Sequence, residues 1–119
     1  MTTQEIANRL VELCQKGDFT GALNELFAED ATSIEPYASP AFEKETKGLA
    51  AIKEKGEKWN NMVEKVNAIT ISDALVATNS FVCSMRMDVV MKERGPMDMS
   101  ELCVYTVKDG KIISEQFFM

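Results

Sequence analysis

The sequence predicts an α+β fold, with helices packed on one face of a curved antiparallel sheet. Three observations carry this expectation. Apolar residues recur at helical spacing through most of the first half of the 119 residues. The second half alternates with a period of two, the pattern of half-buried strands. Near the end, Lys108-Asp109-Gly110-Lys111 places an Asp-Gly pair where a tight primed turn joins two antiparallel strands.

The elements follow in order. Thr2-Thr3-Gln4-Glu5 offers a capping box, with Thr2 as cap and Glu5 reaching back. Ile6, Leu10, Leu13 and Cys14 then share one helical face, and Gly17 is a stop signal. Asp18 caps a second helix carrying Phe19, Leu23, Leu26 and Phe27. Residues Ala31 to Glu35 read as a short strand, and "PYASPAFEKETKG" as a loop. A third helix runs from about Leu49 to Val63, with Ile52, Gly56, Trp59 and Val63 on one face. A glycine in a helix interior costs roughly 1 kcal/mol against alanine. Gly56 therefore marks either close packing or a gap left open beside Trp59.

"VNAITIS" reads as a strand and Asp73 as the turn after it. A β-rich run from Leu75 to about Lys92 follows. At roughly 3.3 Å per residue that run exceeds the width of so small a domain, so a bulge or strong coil is expected inside it. "ERGPMD" turns the chain into a strand from Met97 to Val107, and Ile112 to Phe118 closes the sheet. No repeat or low-complexity segment interrupts residues 1–119, which read as a single domain.

Composition narrows the function. The formal net charge is −6 and there is no long basic run. This argues against nucleic acid, whose phosphates need concentrated Lys and Arg, and against an anionic membrane surface. No apolar stretch approaches the ~20 residues of a membrane span. Cys14, Cys83 and Cys103 are few, odd in number and without CxxC spacing. They read as buried thiols rather than as a disulfide framework or a zinc site, and no metal or other cofactor is expected. The start "MTTQEIANRL" has no signal-peptide pattern, and a reducing cytoplasm is the expected location. There is no histidine. Its absence removes histidine-based triads and the side chain best matched to proton transfer at neutral pH. Acid–base chemistry here must rest on carboxylates, Tyr, Cys or Lys.

Three carboxylates are candidates for that chemistry. In "LFAEDATSIEPY", Glu35 ends a strand and is held in direction by Pro36. Facing an apolar cavity without a cationic partner, its proton affinity would rise far enough for a base or acid role. The plain alternative is an exposed loop acid. Glu101 falls on a strand face with Met97, Met99, Cys103, Tyr105 and Val107, while Ile113, Glu115, Phe117 and Met119 share a face of the last strand. An acid among Met and Phe is either in a pocket or on a rim paired with Lys or Arg. Arg86 and Asp88 share a face, where a cross-strand ion pair is the expected fate and a pocket role the alternative. The eight methionines are core or an adaptable wall, and Trp59 is core or a ligand platform.

"GDFTGALNELFAEDATSIEP" resembles the second helix and first strand of the nuclear transport factor 2-like superfamily, which includes SnoaL-like polyketide cyclases and ketosteroid isomerases. "KGLAAIKEK" is similar to the segment opening its third helix, and "VKDGKIISEQFF" to its final hairpin. The resemblance covers nearly the whole chain. It implies a cone-shaped cystatin-like α+β roll: a curved antiparallel sheet around three N-terminal helices, a deep pocket, and a homodimer through the sheet. It speaks for fold more than activity, because the superfamily hosts isomerases, cyclases, dehydratases, hydrolases and non-catalytic binders.

In ketosteroid isomerases the base is an acid just before a proline after the first strand, and Glu35 matches that position with Glu for Asp. The rest of that site does not carry over. The oxyanion tyrosine of the first helix falls at Leu10. The protonated acid of the fourth strand falls near Cys103, with Glu101 an out-of-step substitute. Steroid isomerisation is therefore not expected.

Two functional readings remain, beside a third in which the protein is structural and the cone is merely packed solid. In the first, an enzyme moves a proton on a small hydrophobic carbonyl or enol. Glu35 shuttles the proton, Glu115 or Glu101 is a second acid, and Tyr105 or Tyr37 donates. Trp59, Cys103, Met99, Phe117 and Leu10 complete the pocket. In the second, the same fold serves as a non-catalytic ligand-binding or dimerisation module.

Overall fold

A computed structural model describes residues Met1–Met119. Helix α1 spans Thr3–Gln15. Thr2 Oγ1 accepts from the Glu5 amide at 3.1 Å, and Glu5 Oε1 accepts from the Thr2 amide at 2.8 Å, so the capping box is closed. Ile6, Leu10, Leu13 and Cys14 are all buried. Gly17 leaves the helix with φ +75°, and Asp18 caps α2 (Phe19–Leu26) by accepting from the Gly21 amide.

Two helix ends differ from the periodicity reading. α2 stops at Leu26, and Phe27 begins strand β1 (Phe27–Ile34). α3 (Leu49–Met62) passes directly into β3 (Val63–Ile71). In both places helix joins strand without a loop, and the joining residue is apolar in either state, so spacing alone does not separate them. β1 also begins four residues before the expected strand, because Glu29 and Asp30 are both exposed and break the alternation where the register is irregular. Glu35 falls just beyond its end.

The segment read as a loop holds a three-residue edge strand, β2 (Glu45–Lys47). Its ends are charged, a composition that blunts an edge against further pairing. The run from Leu75 does not bulge internally. It breaks at Ala77–Asn79 into β4 (Leu75–Val76), which folds back, and β5 (Ser80–Met91). β5 pairs with β6 (Gly95–Lys108) without a register shift, from Ser80↔Thr106 to Met91↔Gly95. The bulges sit instead in β3, near Glu64 and Asn67. Asp109 (φ 52°) and Gly110 (φ 75°) form the primed turn into β7 (Lys111–Phe118).

The strand order is β2-β1-β7-β6-β5-β3, an open sheet whose bulges bend it around the helices. It is not antiparallel throughout: β7 returns between β6 and β1, and lies parallel to β1. That pair sets Ser33 opposite Glu115. A second irregularity positions the same acid. Strict alternation separates Ile112 from Glu115, yet both are buried. Thr106 pairs with Ser114 and Val107 with Ile112, leaving Ile113 as a bulge that turns both side chains inward. Core packing joins α1 to the concave sheet face through a cluster of 19 buried residues, with Ile6 fully buried at its centre. Ile6→Ala should cost about 2–5 kcal/mol of unfolding free energy in urea. Val66→Ala, at a side chain 50% exposed, should change stability by less than about 0.5 kcal/mol.

Candidate functional site

Between the helices and the concave face of the sheet lies a cavity of about 910 Å³. Its wall follows from the β5–β6 register. Cross-strand pairing sets Met85 against Glu101 and Met87 against Met99, all on the inward side. Seven of the eight methionines, all but Met1, line the space. Methionine is flexible and polarisable, so this wall adapts to differently shaped apolar bodies. Trp59 belongs to the cavity wall and not to the buried core, as do Met99 and Phe117, while Leu10 and Tyr105 are core residues that also line the cavity. Tyr37 is 63% exposed and stands at the mouth. Cys103 does not line the cavity. It is fully buried behind the wall, opposite Cys83 in the β5–β6 pair.

One polar cluster interrupts the apolar wall. The β1–β7 register brings Ser33 to Glu115, and Ser33 Oγ donates to Glu115 Oε1 at 2.7 Å. Lys55 reaches in from α3. Its Nζ donates to Ser33 Oγ at 2.6 Å and to Glu35 Oε1 at 2.9 Å. An ammonium group only donates, so the Ser33 hydroxyl accepts from Lys55 and passes its own hydrogen to Glu115. Lys55 also stands 5.8 Å from the Phe117 ring centroid. Glu35 does face the cavity, but the expectation of a carboxylate without a cationic partner is corrected. Its side chain is 26% exposed and is paired with Lys55, itself 15% exposed.

Glu101 is the acid that lacks such a partner. It lines the cavity, makes no ion pair, and its nearest donor is the Cys103 thiol at 4.0 Å. Burial, then the nearby Glu35 and Glu115 carboxylates, push its carboxyl up to about 7, against a smaller opposing pull from Lys55. Burial also raises Glu115, while the Ser33 hydrogen bond and Lys55 pull the other way. Tyr105 is stacked on Phe81 at 4.8 Å, and burial holds its phenol well above the usual range. Its hydroxyl has no protein partner. No fully buried side-chain oxygen is left unpaired, so this hydroxyl opens onto the cavity that Tyr105 lines.

Of the sequence candidates, Glu35, Glu101, Glu115 and Tyr105 thus meet in one place. Arg86 and Asp88 lie elsewhere, on the convex face. Arg86 forms an ion pair with Asp98 through Nε at 3.0 Å, and Asp88 accepts from Asn67 instead. Sequence reasoning missed Lys55 and Ser33. Signals for both exist: Ser33 is two residues before Glu35 on one strand face, and Lys55 stands beside Gly56 on the cavity side of α3.

The family model of the SnoaL-like domain matches residues 1–119. Among solved structures, a Mesorhizobium loti protein whose name couples SnoaL-like polyketide cyclase with carbohydrate phosphatase is 32% identical over 100% of both chains, with a TM-score of 0.93. A Xanthomonas campestris protein of cystatin-like fold is 17% identical, with a TM-score of 0.83 over 99% of this chain and 90% of that one. A Catenulispora acidiphila protein of ketosteroid isomerase-like fold, in complex with trimethylamine, is 24% identical, with a TM-score of 0.69 over 99% and 87%. No curated protein matches the sequence. A match along its whole length, and a relative 32% identical from end to end, show that the chain belongs to the SnoaL-like domain family.

Proposed function

We propose that the cavity takes a small, largely apolar compound bearing a carbonyl or enol, and that its carboxylates move a proton on that compound. The observation that carries this reading is Glu101, an acid on the wall of a methionine-lined cavity with no counter-ion. The polyketide cyclase name of the Mesorhizobium loti relative supports it.

The roles divide by environment. Glu35, paired with Lys55, takes a proton from the carbon beside the carbonyl. Glu101 keeps its own proton to about neutral pH and gives it to the oxygen, where negative charge develops. The Tyr105 hydroxyl donates a hydrogen bond to the same oxygen. Glu115, joined to the pair through Ser33, keeps the local field negative and so keeps Glu101 protonated. Tyr37 contacts the ligand at the mouth. No cofactor takes part.

A second reading rests on a different observation. Lys55 and Ser33 satisfy Glu35 and Glu115 so fully that the site works equally well as a binding pocket without turnover. In either reading the protein is a homodimer. Leu102 and Phe118 are cross-strand partners on the convex face, 51% and 46% exposed, and Leu75, on β4 at the far side of β5, is 76% exposed. Such a patch is the kind a second copy covers. The free thiols of Cys14, Cys83 and Cys103 support a reducing cytoplasm, and no helix is long and apolar enough to cross a membrane.

Three outcomes are expected. Wild-type protein should accelerate hydrogen–deuterium exchange beside the carbonyl of 1-tetralone, followed by NMR, with the rate falling as pH rises through about 7. Glu35→Gln should lower that rate by about 10²-fold or more, and Glu101→Gln should flatten the pH profile. Binding of 1-tetralone without exchange would favour the second reading. Stability should show the same group. An acid whose folded value lies above its unfolded value of 4.5 costs stability as pH rises from there through about 7. Glu101→Gln should therefore melt above wild type at pH 8 and lose that advantage at pH 4. Sedimentation should show a dimer, and Leu102→Glu a monomer that still binds 1-tetralone.

A further inference from the structure

The chain has six glycines, and local structure explains five. Gly17, Gly48, Gly95 and Gly110 have positive φ, and a side chain on Gly21 would collide with the Asp18 carboxylate that caps α2. Gly56 has neither reason. It sits near the middle of α3 with ordinary helical backbone, and a Cβ added there meets nothing within 4 Å. Of the two explanations for a glycine in a helix interior, close packing is therefore excluded and open space remains. That space is the cavity, which Gly56 lines together with Ile52 and Trp59 from the adjoining turns. Alanine would form a better helix at this position, so the bare Cα holds volume open at the expense of stability.

We infer that Gly56 sets the size limit of the ligand. Its missing side chain leaves a slot along α3, bounded by Ile52 on one side and Trp59 on the other. The slot begins next to Lys55, which holds the polar cluster. A compound whose polar group reaches that cluster lays its apolar body along the slot. Compact compounds stay clear of it, and larger ones need it empty. This inference rests on the ligand-binding reading above and adds a size-selecting residue to it.

Two probes of different size test it: 1-tetralone, with two fused rings, and N-phenyl-1-naphthylamine, which adds a third. Gly56→Ala should raise the melting temperature by about 4 °C. Gly56→Leu should weaken the larger probe by at least about tenfold while the smaller changes by less than about threefold. Three results overturn the size limit. Unchanged binding of both probes to Gly56→Leu means that the slot is not used. Equal weakening of both means a general loss of the cavity. A lower melting temperature for Gly56→Ala means that the glycine serves packing. Failure of either probe to bind the wild type is a different result: it removes the ligand-binding reading, and the size limit falls with it.

Discussion

One lysine organises this molecule's interior. Lys55 projects from α3 into a space walled mostly by apolar side chains, and its ammonium is shared between the Ser33 hydroxyl and the Glu35 carboxylate. A buried charge is tolerated only where partners replace the water it loses. Here they come from a strand whose parallel neighbour carries Glu115. The contact thus does two things together. It pins α3 across the open end of the sheet, and it decides which carboxylates are compensated. Losing one partner leaves the other charge in that largely apolar space without its counter-charge, so Lys55 and Glu35 depend on each other.

The consequence is an unequal division of charge. Three carboxylates approach one another and only one ammonium stands among them. Lys55 contacts Glu35 directly and reaches Glu115 through Ser33, which leaves Glu101 to hold its proton. In the proposed chemistry, the acid paired with Lys55 and the desolvated acid beside it divide the roles of base and acid within one cavity without histidine. The methionine wall contributes by withholding water and countercharge from Glu101. It also gives the cavity a surface that can adjust to the ligand, against which the rigid gap at Gly56 acts as a fixed dimension.

Much of this was legible in the sequence, and the rest was hidden for physical reasons. Caps, stops and the final hairpin were readable because each depends on a few neighbouring residues: Thr2 with Glu5, Asp18 with Gly21, Asp109 with Gly110. Strand alternation placed Glu101 among the methionines correctly. It could not place Ile112, because the bulge at Ile113 is imposed by pairing with β6 and leaves no local mark. The parallel β1–β7 pair was hidden likewise, since it joins segments some eighty residues apart. Glu35-Pro36 announced a directed carboxylate, but not its partner. A lysine on an amphipathic helix reads as solvated unless the opposite wall is known, and that wall is built from strands far along the chain. Gly56 stood out early, yet only the empty space around it separates a gap from a close contact.

The proposed chemistry depends on the proton held by Glu101, and titrating that side-chain carboxyl by ¹³C NMR in the ligand-free protein tests it most directly. The expected midpoint is about 7. A further rise is expected in Lys55→Met, because the ammonium favours the ionised form. A midpoint at or below the ordinary 4.5 of a glutamate would contradict the proposal, showing a solvated or paired carboxylate and removing the acid from the proposed chemistry.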